Sequence, residues 1–529
     1  MPKPFFTNLS VFPATSARLP LPALALAALL ASGALAAAPA APAVAVRSAA
    51  QWQSAAIEDI EAAYRITLEN HPGAFDPANP GFVKNLASAR ENGLALAAKV
   101  SDSAGYAAAI ARFNVSIHDG HAGALTRLPP EAATPDRWPG FITVWRGDGL
   151  VVFASEAGGP PAGARVSACD GVPVQDLIAA NVFAFRGRID EPGHWWTFAR
   201  SLFLDQGNPF VKPAQRCQFL VDGKVQERAL VWTPITEQGS TWRTQTYNGD
   251  SLPVGLSEPR AKLFWAAMPT FQPDDKERDA YRAMNEEITT HRQRYLDADA
   301  LVVDLRQNQG GSSTWSIDFA SALWGKGRVE RRRNAYFAAT KVWWRASSEN
   351  TGYMGQVVDE LIGQKQNESA EWARKTSVGM REALARGEKF YVENDEGALA
   401  PQGDPNADVA GDPPPFTKPL YVVVPGQCAS ACLDALDTFT LFPNTILIGA
   451  PSAADSTYME VRTQKLASGL SYVIIPNKVY VRRPRANGQF YTPQLLVTDL
   501  AWSTAAFVNA VEAQLNPPAT RAMPAKASH

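Results

Sequence analysis

Leu301-Val302-Val303-Asp304-Leu305-Arg306-Gln307-Asn308-Gln309-Gly310-Gly311-Ser312-Ser313 is a Val-rich apolar run that enters paired glycines and then polar residues, ahead of an amphipathic helical pattern. A short β-branched run closed by a turn signal reads as a buried strand handing over to a helix. The pattern recurs downstream. Val422-Val423-Val424 stops at Pro425-Gly426, and Leu433-Asp434-Ala435-Leu436-Asp437-Thr438-Phe439 carries apolar residues at helical spacing. A further strand at Leu263-Phe264-Trp265-Ala266-Ala267-Met268 and a helix through 280–291 precede both. Alternating strands and helices argue a layered α/β core with crossover connections, within an α+β multidomain chain.

The second turn, Gln427-Cys428-Ala429-Ser430-Ala431-Cys432, delivers a serine among small residues. Small neighbours let a substrate approach, and the unpaired N–H groups of a new helix can hold an oxyanion. A serine that merely caps the helix has the same appearance. Gly310-Gly311 permits a backbone turn with positive φ and exposed N–H groups, so it can supply a second donor beside the N–H of Ala431. A plain strand-to-helix connection is the alternative for the glycines alone. Ile117-His118-Asp119-Gly120-His121-Ala122-Gly123 is a polar turn with two of the six histidines of the chain. A serine nucleophile needs a base near neutral pKa, which histidine supplies, although a solvated turn histidine fits the same residues.

Taken together these three segments resemble the tail-specific, C-terminal-processing serine peptidase family, related to the tricorn core protease and interphotoreceptor retinoid-binding protein. The resemblance runs from about residue 55 to 500, and the Asp-Leu-Arg-x-Asn-x-Gly-Gly match at 304–311 is its most specific piece. It implies a ClpP/crotonase-like catalytic core, Ser430 as nucleophile, and an oxyanion hole from Ala431 with Gly310 or Gly311. One branch of the family takes its base from a lysine. Here that stretch reads Gly449-Ala450-Pro451-Ser452-Ala453-Ala454-Asp455, with an acid at the lysine position, and neither Lys465 nor Lys478 fits it. The tricorn-like branch takes a histidine from the N-terminal helical region, which falls on His121. Its orienting glutamate has as counterpart the stretch Asn487-Gly488-Gln489-Phe490-Tyr491-Thr492-Pro493-Gln494, which lacks the acid. Asn487, Asp119, Asp434, Asp455 and Glu460 therefore stand as candidates for the third member. The implied activity is peptide hydrolysis by acyl transfer, without cofactor or metal, on a peptide or protein substrate. A non-catalytic peptide- or apolar-ligand-binding protein, or an esterase using the same serine, are the alternatives.

Lys3 and Arg18 precede an apolar stretch from Leu19 to Leu35, followed by Ala34-Leu35-Ala36 and an Ala/Pro run. This reads as a signal peptide over residues 1–38, with a retained membrane anchor as the minor alternative. Pro20 and Pro22 disfavour a permanent span, so the expectation is a periplasmic or secreted protein with no stable membrane span after cleavage. With 50 basic and 52 acidic residues the net charge is −2, which gives no global field for nucleic acid. Four cysteines in an oxidising compartment permit disulfides: Cys169 with Cys217 is one candidate pair, and Cys428 with Cys432 is a pair only where the intervening turn brings them together. They lack the further ligands of a zinc site.

Along the rest of the chain, 52–135 reads as an N-terminal helical region that delivers His121. Residues 140–182 read as a PDZ-like module, from Leu150-Val151-Val152-Phe153 and the Asp170-Gly171 turn, and 183–260 as a β-rich connection. Within it, His194-Trp195-Trp196-Phe198 reads as core. The catalytic domain is expected over 261–515, with an insertion at 326–416 that carries the Arg-rich stretch 328–333 and reads as a lid or substrate wall.

Overall fold

The computed structural model of the chain describes residues 47–393 and 404–516. The signal-peptide reading over 1–38 lies outside them. The central sheet has six strands in the order Gly255–Arg260, Leu263–Ala267, Ala300–Asp304, Leu420–Val424, Thr445–Gly449 and Leu495–Leu496. All neighbours are parallel except the first pair. Because side chains alternate along a strand, each strand feeds two cores. Leu301, Val303, Val422 and Val424 enter one core with the helices Asp275–Thr290, Thr314–Trp324 and Ala431–Phe439. Ala300, Val302, Tyr421 and Val423 enter the other, which continues into the β-module and the helix Thr504–Leu515. Burial on both faces explains why these strands read as continuous apolar runs. Each fully buried Val side chain contributes about 1.5–3 kcal/mol. The fold is thus the mixed α/β class that the alternation implies.

Register sets where the chemistry can sit. Asp304 pairs with Val423, and Val424 pairs with Gly449, so three strands finish at one edge of the sheet. The loops that leave this edge carry Gly310-Gly311, Ser430 and Asp455. The carboxyl edge of parallel strands is where α/β folds place their ligands, because the loops there converge.

A second sheet orders Gly123–Thr126, Ser471–Val481, Lys341–Arg345 and Phe390–Glu393, with Tyr458–Lys465 also paired to Ser471–Val481. Two of its strands come from the 326–416 segment, and Trp344 of that segment is buried. The segment is therefore knitted into the domain along a strand edge instead of lying over it as a separate flap. Its Arg-rich stretch is also tied internally. Arg328 pairs with Asp408, Arg331 donates to the Ala407 carbonyl, Arg332 to the Leu441 carbonyl and Arg333 to Thr438 Oγ1.

The helices Ala49–Asn70, Phe82–Ala97 and Ser103–Ser116 pack into a third core that also takes Val473 and Ile475 from the second sheet. Ser48 opens the first helix with a reciprocal cap on Gln51, which satisfies donors at its start. The β-module pairs strands Phe141–Arg146, Gly149–Ser155, Arg165–Cys169, Arg216–Val221 and Lys224–Ala229 in that order. It therefore extends past residue 182, where the sequence reading ends its module, because the hairpin 216–229 returns to pair with Arg165–Cys169. Cys169 lies opposite Cys217 in that pairing, and the two form a disulfide.

Candidate active site

The stretch 304–311 braces itself. Asp304 accepts the backbone N–H and Nε of Arg306 at 3.0 Å each, and Trp265 Nε1–H at 3.2 Å. Arg306 reaches on to Asp250 Oδ1 and the Trp502 carbonyl at 2.8 Å. A buried guanidinium with every direction filled is a rigid post. Asn308 then anchors the turn: its Nδ2 donates to the Met268 carbonyl at 2.9 Å, and its Oδ1 accepts the Gly310 N–H at 2.8 Å.

That last bond corrects one sequence-based expectation. The Gly310 N–H already has an acceptor, so it does not offer itself to an oxyanion. Among the described residues, the N–H groups of Gly311 and Ala431 donate to no acceptor. Gly310 contributes space instead. With φ 102°, it lies where an added Cβ would sit 2.8 Å from the Ala429 carbonyl oxygen, 2.9 Å from Ser430 Cβ and 3.3 Å from the Ala431 nitrogen.

Ser430 precedes the helix Ala431–Phe439 with φ 55° and ψ −128°. Such a conformation costs a non-glycine residue about 1–3 kcal/mol and needs support from its surroundings. Support comes from both sides. Its carbonyl accepts from Leu433 and Asp434, and its N–H donates to Asp455 Oδ2 at 3.0 Å. Cys428 and Cys432, both buried, close a disulfide over the turn, so the condition set by their spacing is met. We expect Cys428→Ser/Cys432→Ser to lower stability by about 2 kcal/mol, the value for so short a closed loop, as read from urea melts.

The other oxygen of Asp455 lies 2.9 Å from His121 Nδ1. The contact is off the ring's N–H direction, so it is an ion-pair approach more than an aligned hydrogen bond. Burial works against an imidazolium here, but the nearby charge of Asp455, with Asp119 and Asp434 behind it, overrides burial and raises the His121 pKa to about 9. Among the described residues, no hydrogen bond joins His121 to Ser430. The two meet through one carboxylate.

The remaining acids named from the sequence go elsewhere. Asp434 binds Ser313 Oγ at 2.7 Å and pairs with Arg483 and Arg485; burial alone would raise its pKa, but the two guanidinium groups hold it at about 2. Glu460 pairs with Lys478 at 3.2 Å, which also removes that lysine from consideration as a base. Asn487 is exposed on its turn. Asp119 accepts the backbone N–H of His121 at 2.8 Å and so holds the turn, not the ring. Of the candidates for a third member, only Asp455 touches the His121 ring among the described residues.

Residues 267–482 match the model of peptidase family S41. The chain carries a peptidase family S41 domain. Its fold is similar to mature CPAF complexed with lactacystin, at TM-score 0.58 and 12% identity over 88% of this chain and 99% of that one. Mature CPAF alone gives TM-score 0.58 and 13% identity over 88% and 97%. At that identity the likeness concerns the fold. No curated protein matches the sequence. Gly310, Ser430 and Asp455 lie inside the S41 match, whereas His121 arrives from outside it on the turn after the third N-terminal helix.

Two residues around the S41 site went unread in the sequence. Glu191 accepts the Ala454 N–H at 2.9 Å, one residue before Asp455, and lies 3.1 Å from Arg188 Nε. Arg188 in turn donates to the His118 carbonyl at 3.3 Å. Burial raises the Glu191 carboxyl to about 7, against the opposing pull of the Ala454 N–H and Arg188. The second is His71, buried behind Asp119.

Proposed function

We propose that this S41 peptidase is an exported serine peptidase that cleaves peptide bonds by acyl transfer. The observation that carries the reading is the double role of Asp455, which holds the Ser430 N–H with one oxygen and faces His121 Nδ1 with the other. In this reading Ser430 Oγ attacks the scissile carbonyl while neutral His121 takes its proton. His121 then returns the proton to the leaving amine, and Asp455 stabilises the imidazolium between the two steps. The N–H groups of Ala431 and Gly311 receive the oxyanion. Water then hydrolyses the acyl-enzyme by the same proton path in reverse, and this chemistry calls for no cofactor. Export is supported by the apolar N-terminal stretch and by the pairing of all four cysteines, which suits an oxidising compartment. Among the described residues no helix is long and apolar enough to cross a membrane. The β-module, read as PDZ-like, is proposed to hold an extended peptide by strand addition.

The test is a fluorophosphonate probe on folded mature protein, with the adduct mapped by peptide mass spectrometry. A single adduct on Ser430 is the expected result. A folded protein that takes none would favour the binding-protein alternative. The pH dependence is a second expectation. His121 is protonated at neutral pH in the resting site, so the labelling rate is expected to rise with pH and level off near about 9. Stability runs the opposite way: a histidine whose pKa is raised in the fold stabilises it fully below about 6.5, and that contribution is lost as pH rises through about 9. A labelling rate that is flat from pH 6 to 10 would remove His121 as the base.

A further inference from the structure

His71 closes the first N-terminal helix and is fully buried. Its ring is fixed on every side. It stacks on Phe82 at 4.2 Å between centroids and meets the edge of Tyr458 at 4.8 Å. Nδ1 accepts the Gly73 N–H at 2.8 Å, so the ring proton sits on Nε2, which donates to Asp119 Oδ2 at 3.1 Å. The other Asp119 oxygen accepts two bonds of 2.8 Å each, from the His121 backbone N–H and from Ser456 Oγ–H. Ser456 follows Asp455 directly, and its own N–H donates to Asp455 Oδ1 at 2.8 Å. The Asp119 carboxylate therefore joins the turn that carries the base to the segment that carries the orienting acid, and His71 sets the plane of that carboxylate.

We propose that His71 is a positioning residue whose Nε2–H, acting through Asp119, clamps the His121 turn and the Asp455–Ser456 segment in one register. The proposal rests on the serine-peptidase reading for its catalytic consequence. The close approach of His121 to Asp455 depends on two chain segments more than three hundred residues apart, and a carboxylate held in a single orientation between them is what keeps such a pair in register.

Two isosteric variants separate the halves of the ring. His71→Gln places an amide N–H near the position of Nε2 and keeps the donor to Asp119 while losing the acceptor for Gly73. His71→Asn keeps an acceptor near Nδ1 and loses the donor. We expect His71→Asn to lower kcat for a peptide substrate by about 10- to 100-fold with KM little changed, the range typical of lost outer-shell partners, and His71→Gln to stay within a few-fold of wild type. Hydrogen–deuterium exchange should show 118–121 and 454–458 accelerating together in His71→Asn and staying at wild-type rates in His71→Gln. The reverse order, with Asn retaining activity and Gln losing it, would mean that the ring serves only the Pro72–Ala74 turn and would overturn the clamp. Equal losses in both variants would overturn it too, because Gln keeps the donor. Should wild type take no fluorophosphonate at Ser430, the peptidase mechanism falls, and the paired exchange measurement still decides whether the clamp exists.

Discussion

Asp455→Asn is expected to lower kcat/KM by about 10⁴-fold and to move the rising limb of the pH profile down from about 9. Asp455 uses both oxygens, one on the Ser430 N–H at 3.0 Å and one on His121 Nδ1 at 2.9 Å. An asparagine has one acceptor oxygen. If that oxygen stays on Ser430, the amide NH₂ faces the ring and forces a deprotonated Nδ1, which puts the proton on Nε2, the wrong nitrogen for a base. If it turns to His121, the Ser430 N–H is left without its acceptor, in a conformation that already costs about 1–3 kcal/mol. Either arrangement removes one half of the machinery. Loss of the negative charge also removes the leading attraction that raises His121, so burial regains its effect and the pKa falls. Kinetics across pH 6 to 10 check both parts. A large loss of rate with the midpoint unmoved would mean that Asp455 serves Ser430 alone.

The parts of this site that were legible in the sequence are those whose chemistry is local. Val-rich runs meeting Gly-Gly and Pro-Gly announce strand ends, and in a parallel sheet both sides of a strand are buried, so Leu301–Asp304 and Val422–Val424 could be read without knowing their neighbours. Ser430 and His121 could be singled out as candidates because few residue types can act as nucleophile and base. Asp455 could be named as a candidate but not chosen over Asp119, Asp434, Glu460 or Asn487, since the choice depends on which loop meets residue 121 across more than three hundred positions. The fate of the Gly310 N–H was closer to hand. Asn308-Gln309-Gly310 has the spacing of an Asx turn, in which a side-chain oxygen takes the N–H two residues on. His71 was hidden by its position: at the end of an amphipathic helix and before a proline, it reads as a helix stop. That the β-sheet of this module runs past residue 182 is not legible locally, because the strands that complete it come back after a long helical excursion.

Gly310→Ala should separate catalysis from folding. The added methyl would lie 2.9 Å from Ser430 Cβ and 3.3 Å from the Ala431 nitrogen, inside the space where a tetrahedral intermediate must direct its oxygen. Losing access to one oxyanion donor costs about 10²- to 10³-fold in kcat. The conformational cost at φ 102° is paid by the whole fold, but the turn is held by Asn308 and, behind it, by the Asp304–Arg306 post, so a folded protein of reduced stability is expected. Gly311→Ala is the informative contrast. There the methyl would approach the Phe271 carbonyl oxygen to 2.1 Å, a far tighter backbone clash than the 2.8 Å to the Ala429 carbonyl oxygen at Gly310. Phe271 forms an isolated bridge with Gly311 just beyond the strand Leu263–Ala267, and Ser312 N–H donates to that same carbonyl, so Gly311→Ala should lose thermal stability first and activity with it. If the Gly310 variant melts as wild type and still turns over peptide at the wild-type rate, then the oxyanion does not lie between Ser430 and the Gly-Gly turn, and the acyl-transfer geometry must be rebuilt around a different donor.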